Sequence, residues 1–334
     1  MDFTIDLQCH ATYIPRSGAE ALMPEEYQRE IVQTAPEFSS VMQFATRLPD
    51  MTKAQKRIPV LSVLPQAYFL NPGAKRTDAS DIAKKKTSRA MWANKYLDAE
   101  ELAVIVPISE AVLEDSDYDI WTQVRPLLQA AFGLAYDRAV LYGTQAPSSW
   151  PQDIVAAATA AGNVVTLGTD LYDDIMGVDG VIAKVEEAGF MVDGHIGALG
   201  LRARLRALRD DNGQPLFKSL PKEGLQGATR YELDGEQVFF PRNGAIDPDN
   251  SLLISGDWKQ LVYAIRKDIT WKILDQAVIQ DPDTGDIVYN LAQQDMVALR
   301  AVMRLAWQVP NPVNPIKPNE ADRYPFAALT VAGS

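Results

Sequence analysis

Residues 100–143, EELAVIVPISEAVLEDSDYDIWTQVRPLLQAAFGLAYDRAVLYG, change period halfway along. Leu102, Val104, Val106 and Ile108 alternate as in a strand, and the positions between them are also largely apolar. Such a run predicts a strand with both faces buried. Asp115, Ser116 and Asp117 then supply capping side chains and negative charge where a helix would begin. Ile120, Val124, Leu127, Leu128, Ala131, Leu134 and Ala135 follow at helical spacing. Pro126 should kink this helix and Gly143 should close it. A helix of roughly 25 residues is about 35 Å long, enough to act as a structural spine.

Upstream, residues 57–71 read as extended but carry Pro59 and Pro65, so the strand is an edge or is bent. Asn71-Pro72-Gly73 is a turn signal, a charged stretch runs from Lys75 to Arg89, and a second extended run returns through Trp92 and Tyr96. Residues 50–101 thus form one long hairpin-like excursion with a polar tip. Before it, residues 1–23 read as an arm, and a short helix is expected over Pro24–Thr34, ended by Pro36.

Downstream, small residues from about Pro147 suggest a domain boundary, and 150–257 reads as an α/β subdomain. It should hold a helix from Asp170 to Ala188, capped by Thr169 and ended by Gly189, and a strand near His195. A helix over Leu201–Arg209, the turn Asp211-Asn212-Gly213 and short strands such as QVFF complete it. Leu261, Tyr263 and Ile265 begin a strand-like third section, with Ile269, Trp271 and Ile273 continuing it. Positions 297, 299, 301, 303, 305, 307 and 309 are all apolar, which predicts a long strand despite helix-forming composition. The tail is proline-spaced and ends in one more short strand, YPFAALT.

The 334 residues are 47% hydrophobic and 23% charged, an ordinary composition for a folded chain of about two domains. The net charge of −12 excludes a basic nucleic-acid-binding domain, which needs clustered Lys and Arg. The single Cys9 excludes an internal disulfide, and His10 and His195 are the only histidines, so no Cys/His zinc set exists. With no signal-peptide pattern and no long apolar run, the chain is expected to be soluble and intracellular at synthesis.

Catalytic motifs are missing: no phosphate-binding G-x-x-x-x-G-K-[ST], no G-x-G-x-x-G, no H-E-x-x-H and no G-x-S-x-G. Asp281, Asp283, Gly285 and Asp286 resemble a calcium loop, but Ala292 stands where its bidentate Glu belongs, so a turn is expected. His195 lacks a local partner and reads as structural, Cys9 as an incidental thiol, and the acids of 115–119 as helix caps. The Lys84–Lys86 run reads first as a solvated loop, and otherwise as a contact for phosphate or an acidic partner. No catalytic, cofactor-binding or metal-binding residue is assigned.

The order of elements resembles the major capsid proteins of tailed bacteriophages, the Hong Kong 97-type fold. The likeness is carried by residues 100–143 and by LRARLRALRDDNGQPLF (201–217), which is similar to part of that family's axial domain. It is also carried by LISGDWKQLVYAIRKDITWKILDQA (253–277) and LAQQDMVALRAVMRLAWQVPNP (291–312), which resemble its long peripheral strands.

The resemblance implies an α+β capsid fold: N-terminal arm 1–23, entry helix and linker 24–49, extended loop 50–101, and peripheral domain with spine helix 102–149. An axial α/β domain (150–257), long peripheral strands (258–310) and a C-terminal segment returning to the axial domain (311–334) follow. It further implies a structural role, not an enzyme's: a head protein that assembles through pentamers and hexamers into an icosahedral virion shell around double-stranded DNA. Head-to-tail contacts between identical chains close such rings. The extended loop would lie over a neighbour, with Lys75, Arg76, Lys84, Lys85, Lys86 and Arg89 as inter-subunit contacts.

A portal protein and a decoration protein are further partners the family suggests, with DNA packaged without sequence-specific binding, no membrane, no cofactor, and assembly in the host bacterial cytoplasm. Only 23 residues precede the first expected helix, so a fused scaffolding segment is not expected; a separate scaffolding protein, or none, is implied. Some members join a loop Lys to a peripheral Asn with help from a Glu. Here Lys75, Lys84, Lys85 and Lys86 lie in the loop and Asn290 near the Asn position, but no Glu occurs between Glu236 and Glu320, so no cross-link is expected. The competing readings are an encapsulin-type nanocompartment shell of the same fold and a soluble α/β enzyme.

Overall fold

A computed structural model describes residues 38–69, 85, 87–115, 120–209, 217, 231–281 and 284–331. The expected arm, the helix Pro24–Thr34, Cys9, His10, Lys75, Arg76, Lys84, Lys86, the caps Ser116 and Asp117, and the turn Asp211–Gly213 lie outside them. The chain enters through α1 (Ser40–Phe44) and β1 (Thr46–Arg47), then runs out and back along β2 (Gln55–Val63) and β3 (Met91–Asp98). β4 (Glu100–Ser109), α2 (Glu110–Asp115) and the 23-residue α3 (Ile120–Tyr142) follow. Next come α4 (Ile154–Ala160), β5 (Val164–Thr166), α5 (Leu171–Met176), α6 (Val181–Glu187), β6 (Gly194–Gly197) and α7 (Leu201–Ala207). The remainder is strand: β7 (Tyr231–Leu233), β8 (Glu236–Phe239), β9 (Ser251–Gly256), β10 (Val262–Leu274), β11 (Val278–Gln280), β12 (Ile287–Asn290), β13 (Met296–Gln308) and β14 (Phe326–Thr330).

The long strand predicted from its period of two is β13, at the centre of the sheet β1-β10-β13-β4. It runs antiparallel to β10, from Val262 opposite Gln308 to Leu274 opposite Ala298. One face buries Leu299, Ala301, Met303, Leu305 and Trp307; the other buries Ala298, Val302 and Ala306 between Arg300 and Arg304. Both faces are filled, as a central strand requires.

The second sheet has the order β5-β14-β9-β6-β8-β7. The C-terminal strand β14 is inserted beside the fully buried β9, with Phe326 opposite Gly256 and Ala328 opposite Ile254. Gly256 is dictated by packing, since a Cβ there would collide with the Phe326 ring and the Pro325 carbonyl. α6 and α4 pack across β14, and the core runs on without a break to Tyr136, Trp150 and Trp307 beside the first sheet.

Four expectations are corrected. β4 is an edge strand, and Glu101, Ala103 and Ile105 face outward, so only one of its faces is covered. On α3 the buried face is Leu128, Phe132, Tyr136, Ala139 and Val140, while Leu127, Ala131 and Ala135 are exposed. The helix expected over 170–188 is two helices, because Gly177 and Gly180 sit against the backbone of Asp173 and Ile175 and turn the chain between α5 and α6. Its cap is Asp170, whose carboxylate accepts from the Tyr172 amide at 2.9 Å, not Thr169. Gly143 and Gly189, at φ +67° and +83°, close α3 and the α6 region as expected.

Candidate assembly surfaces

β2 and β3 make a two-stranded ribbon from Gln55 opposite Asp98 to Val63 opposite Met91. Pro59 is tolerated because no third strand needs its missing N–H among the described residues. The base is well anchored. Leu97 and Val60 are buried, and Leu97 joins Met51, Ala264 and Ala306 in a small separate core. Gln308 donates its side-chain amide to the Tyr96 carbonyl at 3.0 Å, the Val313 amide donates to the Leu61 carbonyl at 3.1 Å, and Lys95 pairs with Glu320 at 2.5 Å.

Further out the ribbon is uncovered. Trp92 is 68% and Phe69 89% exposed, and Met91 and Tyr96 are also open. A lone two-stranded ribbon is marginally stable in water. Its charge is equally distinct: residues 55–98 hold nine Lys/Arg and three Asp, a net +6, so the rest of the chain carries −18. Of the basic residues expected to make contacts, Lys85 and Arg89 lie within the described residues, and both are exposed.

A second uncovered surface lies between β4 and α3. The outward stripe Ala131, Leu134 and Ala135 faces Leu102 and Trp150 across a cleft of about 370 Å³. Glu100 and Glu101 stand at its rim; Glu101 accepts from Arg304 Nε at 2.7 Å, and Glu100 from Ser149 at 2.5 Å. Exposed apolar side chains also cap the α5–α6 turn, where Val178 is 88% exposed, and the β11–β12 hairpin at Ile287 and Val288.

The chemistry-bearing residues are elsewhere and serve the fold. His195 is fully buried on β6 with Nδ1 2.7 Å from Ser255 Oγ, and burial pushes its pKa down to about 4. Asp281 accepts from the Thr284 amide at 3.1 Å within the turn joining β11 and β12. Asn290 donates to Gln293 at 2.9 Å. Among the described residues no three His, Cys, Asp or Glu side chains are grouped to hold a metal, and no helix is long and apolar enough to cross a membrane.

A residue that the sequence did not single out is Asp137, a carboxylate on the buried face of α3. Its only sequence signal is a charge set among Phe132, Tyr136 and Val140. Burial pushes its pKa up to about 6, against hydrogen bonds from Ser39, Ser40 and Val41 that favour the ionised form.

A ribbon, an edge strand and a helix stripe are left open on an otherwise packed subunit. The model of the phage capsid family matches residues 19–320. The chain belongs to the phage capsid family. The major capsid protein of Staphylococcus phage 80alpha is 26% identical over 291 residues, covering 87% of this chain and 82% of that one. A solved structure from Microbacterium phage Oxtober96 is 32% identical, with a TM-score of 0.77 over 96% of this chain and 99% of that one. One from Mycobacterium phage Adephagia is 30% identical over the same shares, also at 0.77. The capsid of an empty GTA particle, 16% identical with a TM-score of 0.55, shares the fold.

The expected α+β capsid fold and the major capsid role stand. This capsid protein is a structural component of the phage virion rather than an enzyme, the encapsulin reading is not favoured, and it works as a homo-oligomeric capsomer subunit.

Proposed function

We propose that the excursion 50–101 lies over a neighbouring copy in the shell, with Lys75, Arg76, Lys84, Lys85, Lys86 and Arg89 contacting that neighbour's acidic surface. One observation carries this reading: residues 55–98 are net +6 by sequence and their ribbon is apolar at its surface, on a chain whose remainder is −18. Opposite net charges on two parts of one repeated chain favour heterologous contact between copies, which closes rings. In this reading pentamers and hexamers form around an axial domain of 150–257 plus the C-terminal segment 311–334. The spine helix (102–149) and long strands (258–310) form the peripheral domain, and residues 1–23 reach across further neighbours.

The partners that follow are a separate scaffolding protein, a portal protein, a decoration protein on the outside, and DNA held without sequence-specific binding. Assembly takes place in the host bacterial cytoplasm. An acidic wall suits contents that must later leave. Neighbours are held without Lys–Asn bonds, because no Glu stands near Asn290 in the sequence to assist one.

Electron microscopy of the purified chain, alone and with its scaffolding partner, tests the reading. Closed shells or five- and six-membered rings are expected. Reversing Lys85 and Arg89 to Glu should abolish them, and a subunit that still assembles normally with both reversed overturns the loop assignment. On a denaturing gel, mature particles should run as a single subunit band; a ladder overturns the absence of cross-links.

A further inference from the structure

α3 carries a notch made by two residues one turn apart. At Gly133 a Cβ would sit 2.5 Å from the Phe38 carbonyl carbon and 2.8 Å from the Ser39 amide nitrogen, so only glycine lets the backbone of the entry segment lie this close. One turn on, the Asp137 carboxylate accepts from the Ser39 hydroxyl, from the Ser40 amide at 2.7 Å and from the Val41 amide at 3.2 Å. Ser39 meanwhile caps α1 by accepting from the Met42 amide at 3.0 Å. A helix's first amides lack intrahelical acceptors, and here a side chain nearly a hundred positions away satisfies them.

Asp137 and Ser39 to Val41 are all buried, and Asp137 has no ion pair among the described residues. The adjacent Arg138 is turned away, its guanidinium donating to the Gly244 carbonyl at 3.0 and 3.2 Å. The carboxylate is therefore compensated by this one segment and nothing else on the described surface. A buried charge without a counter-ion is costly unless fully hydrogen-bonded.

We propose that Gly133 and Asp137 form a latch that clamps Phe38–Val41 to α3 and fixes the point from which the preceding chain leaves the subunit. In a shell, that exit point decides which neighbour the preceding residues can reach. This last consequence rests on the overlapping-arm reading above; the latch itself does not.

Amide hydrogen exchange on the full-length subunit, followed by particle imaging, tests it. In Asp137→Asn an amide donor faces amide donors, and in Gly133→Ala the new methyl meets the Phe38 backbone. Either should speed exchange of the Ser40–Phe44 amides by at least about tenfold, the scale of one charge-assisted hydrogen bond. The β9 and β14 amides should keep wild-type protection, which a merely structural loss would not leave intact. Ser39→Ala, which removes one of the three bonds, should act the same way more weakly and serves if Asp137→Asn does not fold. Unchanged protection at Ser40–Phe44 overturns the latch, as does a loss spread equally into β9 and β14. Released segments with normal shells would leave the latch standing and overturn only the arm reading.

Discussion

The six-stranded sheet and the β2–β3 ribbon both carry apolar strand residues and reach opposite ends. In the sheet, every residue of β9 is buried and β14 buries Phe326 to Leu329. In the ribbon, Leu97 and Val60 hold the base while Trp92, Met91 and Tyr96 stay in solvent. Both carry apolar side chains at strand spacing, so both have the means to be covered. The sheet finds its cover within the chain; among the described residues the ribbon does not. The subunit is thus complete in one region and unfinished in the other, which is the condition for a fold whose working state is a shell.

The largest effect is expected where a charge is placed inside the fully covered part. Trp307 is buried on β13 and packs edge-on against Trp150 at 6.4 Å. Trp307→Asp or Leu305→Asp should prevent folding, since an unpaired buried carboxylate can cost more than the whole stability of a domain. Circular dichroism and solubility check this, and a folded, soluble variant would undo the account of β13 as a doubly buried strand. Phe326→Ala comes next. Its ring meets Trp258 at 5.0 Å and lies against Gly256, and its loss should cost about 3–5 kcal/mol in denaturant unfolding.

The same contrast explains how far the sequence could be read. β13 was legible because a central strand has its pattern filled by its own chain. β4 and the outward stripe of α3 were misread for one reason: Ala103, Ile105, Leu127 and Ala131 are apolar, and apolarity looks alike whether its cover comes from within or from a second copy. The α5–α6 break was hidden because Gly177 and Gly180 sit inside an otherwise helical pattern, and their role depends on the backbone of Asp173 and Ile175. His195, expected to be structural, is buried beside Ser255, a contact 60 positions away that local sequence could not show. Asp137 was not seen, because the groups that make it tolerable, Ser39 to Val41, are distant in sequence.

Two buried groups titrate with effects of intermediate size. Asp137, beside the first sheet, has its pKa raised from 3.8 to about 6, so the folded state takes up a proton before the unfolded chain does. Its contribution to stability grows as pH falls through 6 towards 4. His195, in the six-stranded sheet, has its pKa lowered from 6.5 to about 4, so the unfolded chain protonates first. Its contribution is lost as pH falls from 6.5 through 4. Each changes stability by on the order of 1–2 kcal/mol between pH 7 and 5, with opposite signs. Wild-type stability should therefore vary little from these two groups over that window. Asp137→Asn should lose stability on acidification and His195→Gln should gain it. Urea unfolding at several pH values measures both slopes, and equal slopes in the two variants would sink the assignment.

The smallest effect on the subunit is expected at the ribbon, where the largest effect on the shell is expected. Trp92 is already mostly in water, so Trp92→Ala removes little burial from the isolated subunit. Its unfolding free energy should change by no more than about 0.5 kcal/mol, as for an ordinary surface position. Against a neighbouring copy the same ring would be desolvated, and large aromatics at the centre of an interface carry much of its energy. Shell yield measured by sedimentation should therefore drop steeply while the melting curve of the subunit stays in place. Phe326→Ala should show the reverse order, with the subunit failing first and assembly only as a consequence. If Trp92→Ala instead lowers subunit stability as much as Phe326→Ala does, the ribbon is already covered by its own chain. The difference between the two regions would then be one of exposure alone, not of which copy supplies the cover.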